Sequence, residues 1–307
     1  MKALLVDDAA RTGLVLVQEV PEPQPGPAEA LVGVQAVSLN AGETRYLRQM
    51  FHTGEIPGWD AAGVILAAAA DGSGPPAGTR VVTFGWRGAW ATRRAVATAE
   101  LAVIPDRVDL GDAATLPVAA VTALRALRPA GNLLGRRVLV TGASGGVGRF
   151  AVQLAAGMGA EVVAGVGNPA RAEGLAQIGA SEIVYGEHLE GLTSDVAIVI
   201  DNVGGPLLAR AFARLEPGGL AQAVGSSSGQ PFVLDLESER RRAGGTRLQI
   251  MSRGAHSAAD LSILVEMLAA GRLDPHIGLR TDWADHAAAV DALLDRRVAG
   301  KVVLDVS

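Results

Sequence analysis

No cysteine occurs anywhere in the 307 residues. That absence excludes disulfides, thiolate zinc sites and cysteine nucleophiles. Histidine is sparse as well: His52, His188, His256, His276 and His286 include no pair at the i, i+4 spacing of a helical metal site. An excess of positive charge is also missing. The 27 Lys and Arg stand against 32 Asp and Glu, a formal net charge of −5, which argues against nucleic acid or an anionic membrane as the main partner. The longest apolar run, Ala61 to Ala70, is bracketed by Asp60 and Asp71 and is too short to span a bilayer. The stretch Met1 to Asp8 turns acidic before a signal-peptide core forms, so the expected location is cytoplasmic.

What is present is a folding chain. Hydrophobic residues make up 49% against 19% charged, the balance of a sequence that buries a core, and the length suits two domains or one with a large insertion. Residues 1–105 read as short strands broken by turns, with candidates at Leu14–Val17, Ala30–Val37, Gly63–Ala68 and Arg80–Thr83. From Asp112 the pattern changes to helices alternating with apolar strands at Val138–Thr141, Glu161–Val166, Glu182–Tyr185, Val196–Asp201 and Leu220–Gly225. Such alternation predicts a parallel sheet covered by helices on both faces. Two helices near Ala258–Ala270 and Ala284–Arg297 and a strand at Lys301–Val306 complete the pattern.

One stretch carries chemistry. The strand-like Arg137-Val138-Leu139-Val140 runs into Thr141-Gly142-Ala143-Ser144-Gly145-Gly146-Val147-Gly148, and an apolar helical repeat follows. Small residues there let backbone N–H groups approach a pyrophosphate at a helix N-terminus. The fingerprint reads Ala143-x-Gly145-x-x-Gly148, with alanine where the usual first glycine sits. The next strand, Glu161–Val166, completes the context of a dinucleotide site. An NAD site places a carboxylate near its end to hold the ribose 2′-hydroxyl. Here Val166, Gly167 and Asn168 stand there, and Arg171 follows. A guanidinium pairs with a 2′-phosphate where a carboxylate would repel it. NADPH is therefore expected over NADH; the competing reading makes Arg171 a solvated residue early in the next helix. The pattern Thr141-Gly142-x-x-x-Gly146-x-Gly148 also fits short-chain dehydrogenases. Those need a Tyr-x-x-x-Lys pair, whereas Tyr46 is followed by Met50 and Tyr185 by Leu189.

In order along the chain, Val37-Ser38-Leu39-Asn40, Pro57-Gly58-Trp59-Asp60-Ala61-Ala62-Gly63-Val64, Leu116-Pro117-Val118-Ala119 and the Gly145–Gly148 turn are followed by Asp201-Asn202-Val203-Gly204-Gly205, Leu215-Glu216-Pro217-Gly218-Gly219 and Ala299-Gly300-Lys301-Val302-Val303-Leu304. This series resembles the zinc-independent quinone oxidoreductase-like (zeta-crystallin-like) branch of the medium-chain dehydrogenase/reductases. The resemblance implies an α/β chain: a GroES-like substrate domain over residues 1–112, an inserted doubly wound Rossmann domain over 113–252, and a return to the first domain over 253–307. It also implies a tyrosine, Tyr185, against the adenosine 2′-phosphate, although Tyr185 capping a strand explains the position equally. By the same resemblance Thr122, Ala143, Ser144, Gly145, Gly146, Val147, Gly148, Asn168, Arg171, Asn202, Val203, Gly225, Ser226 and Ser227 line the cofactor. A plain surface turn also accounts for the composition of the Val224–Gly229 loop.

Zinc alcohol dehydrogenases carry cysteine and a Gly-His-Glu segment where this chain reads Gly58-Trp59-Asp60. No metal is expected, and without a Lewis acid the simpler chemistry is hydride delivery to an already electrophilic carbon of a quinone or enone. Asn40 matches an asparagine near the nicotinamide, where its amide would donate to a substrate carbonyl or to the cofactor carboxamide. Relatives read Asn-x-x-acid-Thr-Tyr, whereas Arg45 precedes Tyr46 here and displaces the tyrosine by one residue. Either side chain reaches the cleft or both lie on the surface, and water is the expected proton source. The rival to an enzyme is a non-catalytic NADPH-binding protein on the same fold. The resemblance further implies a homodimer formed edge to edge, through Pro231–Leu234 and Arg247–Ile250.

Overall fold

Burial along the strand Glu29–Leu39 alternates as far as Ala36, after which Val37, Ser38 and Leu39 are all buried. A strand with that pattern is covered on one face at its start and on both at its end. In the computed structural model, which describes residues 1–242 and 244–307, this strand organises a seven-stranded sheet. Its order is Ile277–Asp282, Lys301–Asp305, Glu29–Leu39, Asp60–Ala67, Arg80–Phe84 and Leu101–Val103, with Arg93–Ala97 also pairing with Glu29–Leu39. Every pairing is antiparallel except that of Ile277–Asp282 with Lys301–Asp305. Leu4, Val37, Leu39, Phe51, Trp90, Trp283, Val302 and Leu304 fill one core, and Ala30, Val32, Ile65, Val81, Val96 and Leu101 a second.

The chain divides into two units, one formed by residues 1–121 with 254–307, the other by residues 122–253. The first boundary falls nine residues beyond the expected 112 because the helix Leu110–Ala114 rests on the strands Glu29–Leu39 and Asp60–Ala67, and the helical turn Leu116–Ala120 that follows rests on Asp60–Ala67 and Arg80–Phe84. The C-terminal segment returns to the first unit through the register Val302↔Leu39 and Leu304↔Val37.

In the second unit six strands are all parallel, in the order Ala180–Tyr185, Glu161–Val166, Arg137–Thr141, Val196–Asp201, Leu215–Ala223 and Arg247–Ile250. By position along the chain this is the order 3-2-1-4-5-6 of a doubly wound sheet, in which ligands bind beyond the strand ends where the order reverses. Two sequence expectations fail. No α-helix joins Glu161–Val166 to Ala180–Tyr185: a 3₁₀ turn, Pro169–Arg171, is followed by turns. Asn168, before proline, is held extended at φ −160°, and Gly174 and Gly179 take φ of +76° and +111°, which breaks a helix in both directions. Pro231–Leu234 forms no strand either. Proline cannot donate to a ladder, and Phe232 and Leu234 instead pack on the unit's core. Arg247–Ile250 alone holds that edge, with all four residues exposed.

Candidate functional site

Gly142, with φ of +61°, makes the sharp exit from the strand Arg137–Thr141. This explains why alanine is tolerated at 143: the left-handed position lies one residue earlier than the fingerprint suggests. The Ala143 N–H is bonded to Gly165 O at 3.0 Å, which ties the turn to the next strand. Gly148 lets the helix Gly146–Gly157 sit directly on this turn, since a Cβ there would lie 2.3 Å from Gly142 O. A Cβ at Gly145 would meet nothing closer than Gly142 O at 3.4 Å, so the protein itself does not fill the space above it. The first backbone bond into the helix is Arg149 N to Gly145 O. Among the described residues, the N–H groups of Gly146, Val147 and Gly148 have no acceptor. That is a donor cradle of the kind a pyrophosphate fills.

Three neighbouring strand ends meet this turn. Thr141 donates its hydroxyl to Asp201 Oδ1 at 2.5 Å, and Asp201 Oδ2 accepts from Gly204 N at 2.7 Å. Burial holds the Asp201 carboxyl above its ordinary value, against the opposing pull of the Thr141 hydroxyl and the Gly204 and Val203 N–H groups. Asn202 donates through Nδ2 to Thr141 O at 2.9 Å. Gly142 approaches Asn202 and Val203, and Gly225 lies so close to Asn202 that a Cβ would come within 2.7 Å of its carbonyl oxygen. Ser228 N bonded to Val203 O brings the loop containing Ser226 and Ser227 alongside. Ser144 is buried in the turn, and Thr122 is buried in the helix Val121–Leu127.

The register Tyr185↔Val166 sets Tyr185 beside the strand end from which Asn168 and Arg171 follow. Asn168 is exposed, and Arg171 and Tyr185 are half-buried. One residue here escaped the sequence reading: Arg149, on the helix above the turn, is buried and donates to Glu173 O at 2.6 Å.

In the first unit Asn40 directly follows the long strand and stands at the N-cap of the short helix Ala41–Arg45. Its Nδ2 donates to Glu43 Oε1 and to Asp60 Oδ2, each at 2.9 Å, and Lys301 Nζ donates to its Oδ1 at 2.7 Å. Both amide hydrogens are therefore engaged, so the expected donor to a substrate carbonyl is already committed within the unit. Tyr46 lies at the helix C-cap and is 37% exposed. Trp59 is buried, with its ring edge-on to Trp86 at 5.2 Å. Burial, then the neighbouring Asp60, pushes the Glu43 carboxyl up to about 8. Burial lowers Lys301 against the attraction of Asp60 and Glu43. Burial also lowers Arg94 to about 10, and this guanidinium donates to Trp59 O, Thr83 Oγ1 and Arg87 O. The sequence reading missed this group of Glu43, Asp60, Arg94 and Lys301. Two signals were available: an acid three residues after Asn40, the spacing of a capping box, and a lysine within an otherwise apolar closing strand.

The sheet order and the donor cradle define a Rossmann-type dinucleotide-binding protein. Residues 178–304 match the family model described as zinc-binding dehydrogenase. Over 202 residues the chain is 34% identical to the acrylyl-CoA reductase AcuI of Ruegeria pomeroyi, covering 58% of this chain and 61% of that protein's length. It is 28% identical over 301 residues to the quinone oxidoreductase of Pseudomonas aeruginosa, with 92% of each covered. Among solved structures, a mycobacterial protein complexed with NADPH matches with a TM-score of 0.87 at 25% identity, over 99% of both chains. The relatives and solved structures of known activity to which this chain is similar include quinone oxidoreductases and acrylyl-CoA reductases.

The Glu43 carboxyl binds its proton more tightly in the fold than in the unfolded chain. Its stabilising contribution is complete below the ordinary value of 4.5 and is lost as pH rises to about 8. Over that window the slope is up to about 1.4 kcal/mol per pH unit. Glu43→Gln keeps an acceptor for both Asn40 donors and removes the titration. Thermal melts at pH 5 and pH 8 are expected to show a smaller loss of stability in Glu43→Gln than in the parent.

Proposed function

We propose that this chain is an NADPH-dependent reductase that transfers hydride to a quinone or to the β-carbon of an α,β-unsaturated carbonyl compound, without a metal. The observation that carries the reading is the row of acceptor-free N–H groups at Gly146, Val147 and Gly148, set at the strand ends where the sheet order reverses. Those donors and the helix dipole hold the pyrophosphate. Arg171 and Tyr185 hold the 2′-phosphate, the guanidinium by charge and the phenol by one hydrogen bond. Asn202, Val203, Gly225, Ser226 and Ser227 support the nicotinamide half. Bound NADPH supplies the hydride. Asn40 and Tyr46 are the substrate-side residues, and water supplies the proton.

The absence of cysteine and the Gly58-Trp59-Asp60 segment favour metal-free turnover. Purified protein is expected to oxidise NADPH with at least one member of a panel of a benzoquinone, a small enone and an enoyl thioester, at the same rate before and after chelation. Silence across the panel would favour a non-catalytic NADPH-binding protein, and a stoichiometric zinc whose removal stops turnover would remove the metal-free mechanism.

Arg171→Ala is expected to weaken NADPH binding by roughly 1.5–3 kcal/mol, the range for a hydrogen bond to a charged group, and to leave NADH affinity unchanged. Fluorescence titration of both cofactors measures this. Equal NADPH affinity in the two proteins would take Arg171 out of the site.

Among the described residues no helix is long and apolar enough to cross a membrane, and we place the protein in the cytoplasm, where reduced dinucleotides are supplied. The exposed edge strand Arg247–Ile250, with Ile250 82% exposed, supports a homodimer in which two such edges pair about a two-fold axis. Sedimentation equilibrium is expected to give twice the 31.3 kDa chain mass. A species that stays at the chain mass at micromolar concentration would exclude the dimer.

A further inference from the structure

The two ends of an asparagine amide are nearly alike in shape and opposite in hydrogen bonding. At Asn40 the neighbours decide which end lies where. An ammonium only donates, so the atom 2.7 Å from Lys301 Nζ is the oxygen; Glu43 Oε1 and Asp60 Oδ2 both accept, so the nitrogen faces them. Lys301 also donates to Leu39 O at 3.1 Å and lies 3.7 Å from Asp60 Oδ2. The backbone N–H of Asn40 is held by Glu43 Oε1 at 2.8 Å. Oδ1 also faces the Glu43 N–H in a capping-box arrangement but makes no full hydrogen bond with it, so its second lone pair is held far less firmly than the one that Lys301 engages.

Stability alone does not account for such a group. Lysine and aspartate lie almost wholly out of water, Lys301 3% and Asp60 0% exposed. Desolvation of a buried pair commonly cancels its attraction, and apolar residues of similar volume serve as well. What apolar residues cannot supply is direction. We propose that Lys301 is a positioning residue for Asn40: from the closing strand it fixes the amide so that Asn40 presents an acceptor, and the ligand group it receives is an N–H or O–H donor rather than an anionic oxygen. This rests on the reading of Asn40 as a substrate-side residue. Donors of this class exist on the nicotinamide carboxamide, on the ribose and on amide-bearing substrates. A change confined to NADPH affinity assigns the donor to the cofactor, and one confined to the substrate KM assigns it to the substrate.

The chain has four asparagines, Asn40, Asn132, Asn168 and Asn202, so selective ¹⁵N-asparagine labelling of the full chain gives four side-chain amide pairs. Asn40→Ala identifies the pair in question. In Lys301→Met that pair is expected to shift and to exchange with solvent at least tenfold faster, while kcat/KM falls at least tenfold. Lys301→Arg is expected to restore both to within threefold of the parent. Because Lys301→Met leaves Asp60 buried without its ammonium, the double variant Asp60→Asn with Lys301→Met, which removes both charges, serves if the single variant does not fold; the same losses are expected there. An unmoved Asn40 pair, or kcat/KM within twofold of the parent in a folded variant lacking Lys301, overturns the proposal. If the parent itself turns over no substrate, the reductase reading fails, and the amide signals still decide whether Lys301 positions Asn40.

Discussion

The contact between Gly148 and the Gly142–Ala143 backbone is the constraint on which the cofactor-binding unit depends. With no room for even a methyl group at Gly148, the helix Gly146–Gly157 can sit directly on the end of the first strand. Its first N–H groups then lie over the place where the strand order reverses. The bonds linking Thr141, Asp201, Asn202 and Gly204 lock the next strand end to the same turn, and Gly225 closes against Asn202. A chain of close backbone approaches thus builds a surface of donors whose acceptor has to come from outside the protein.

The first unit uses the opposite device. Its polar centre is bonded within itself, although Glu43 Oε2 and Arg94 Nε lie buried with no hydrogen-bond partner among the described residues, and charged groups in a low-dielectric interior hold one another in fixed geometry at a cost in desolvation. The acid of the pair with the raised proton affinity, Glu43, also receives two bonds from Asn40. Protonation and orientation are therefore properties of one small network.

How much of this was legible in the sequence follows the range of the interactions. The glycine-rich turn and the apolar strands were legible because their signals are local, in residue size and period. The position of Tyr185 at its strand end, beside the strand end from which the chain runs on to Arg171, followed from the same pattern. The absent helix after Val166 was harder to see, because Asn168-Pro169 and two left-handed glycines act against a composition that otherwise permits helix. Pro231–Leu234 has the apolarity of a strand but lacks a donor at its first residue, and its side chains found the core instead. The ionic group around Asn40 was legible only in fragments, in the Asn40–Glu43 spacing and in a lysine within an apolar strand. It joins residues 40, 43, 60, 94 and 301, and no periodicity connects positions separated by more than two hundred residues.

The same separation orders events during synthesis. Residues 122–253 form their own sheet from strands close in sequence, so this unit can fold as soon as it clears the ribosome. The first unit emerges earlier and yet finishes later. Its central strand waits for Lys301–Asp305 to arrive as a neighbour, and its two acids wait for the ammonium that faces them. During that interval Leu39 and its flanking strand present an open edge, the condition in which chains pair wrongly with one another. The inserted unit therefore acts as a delay line in the assembly of the unit that encloses it.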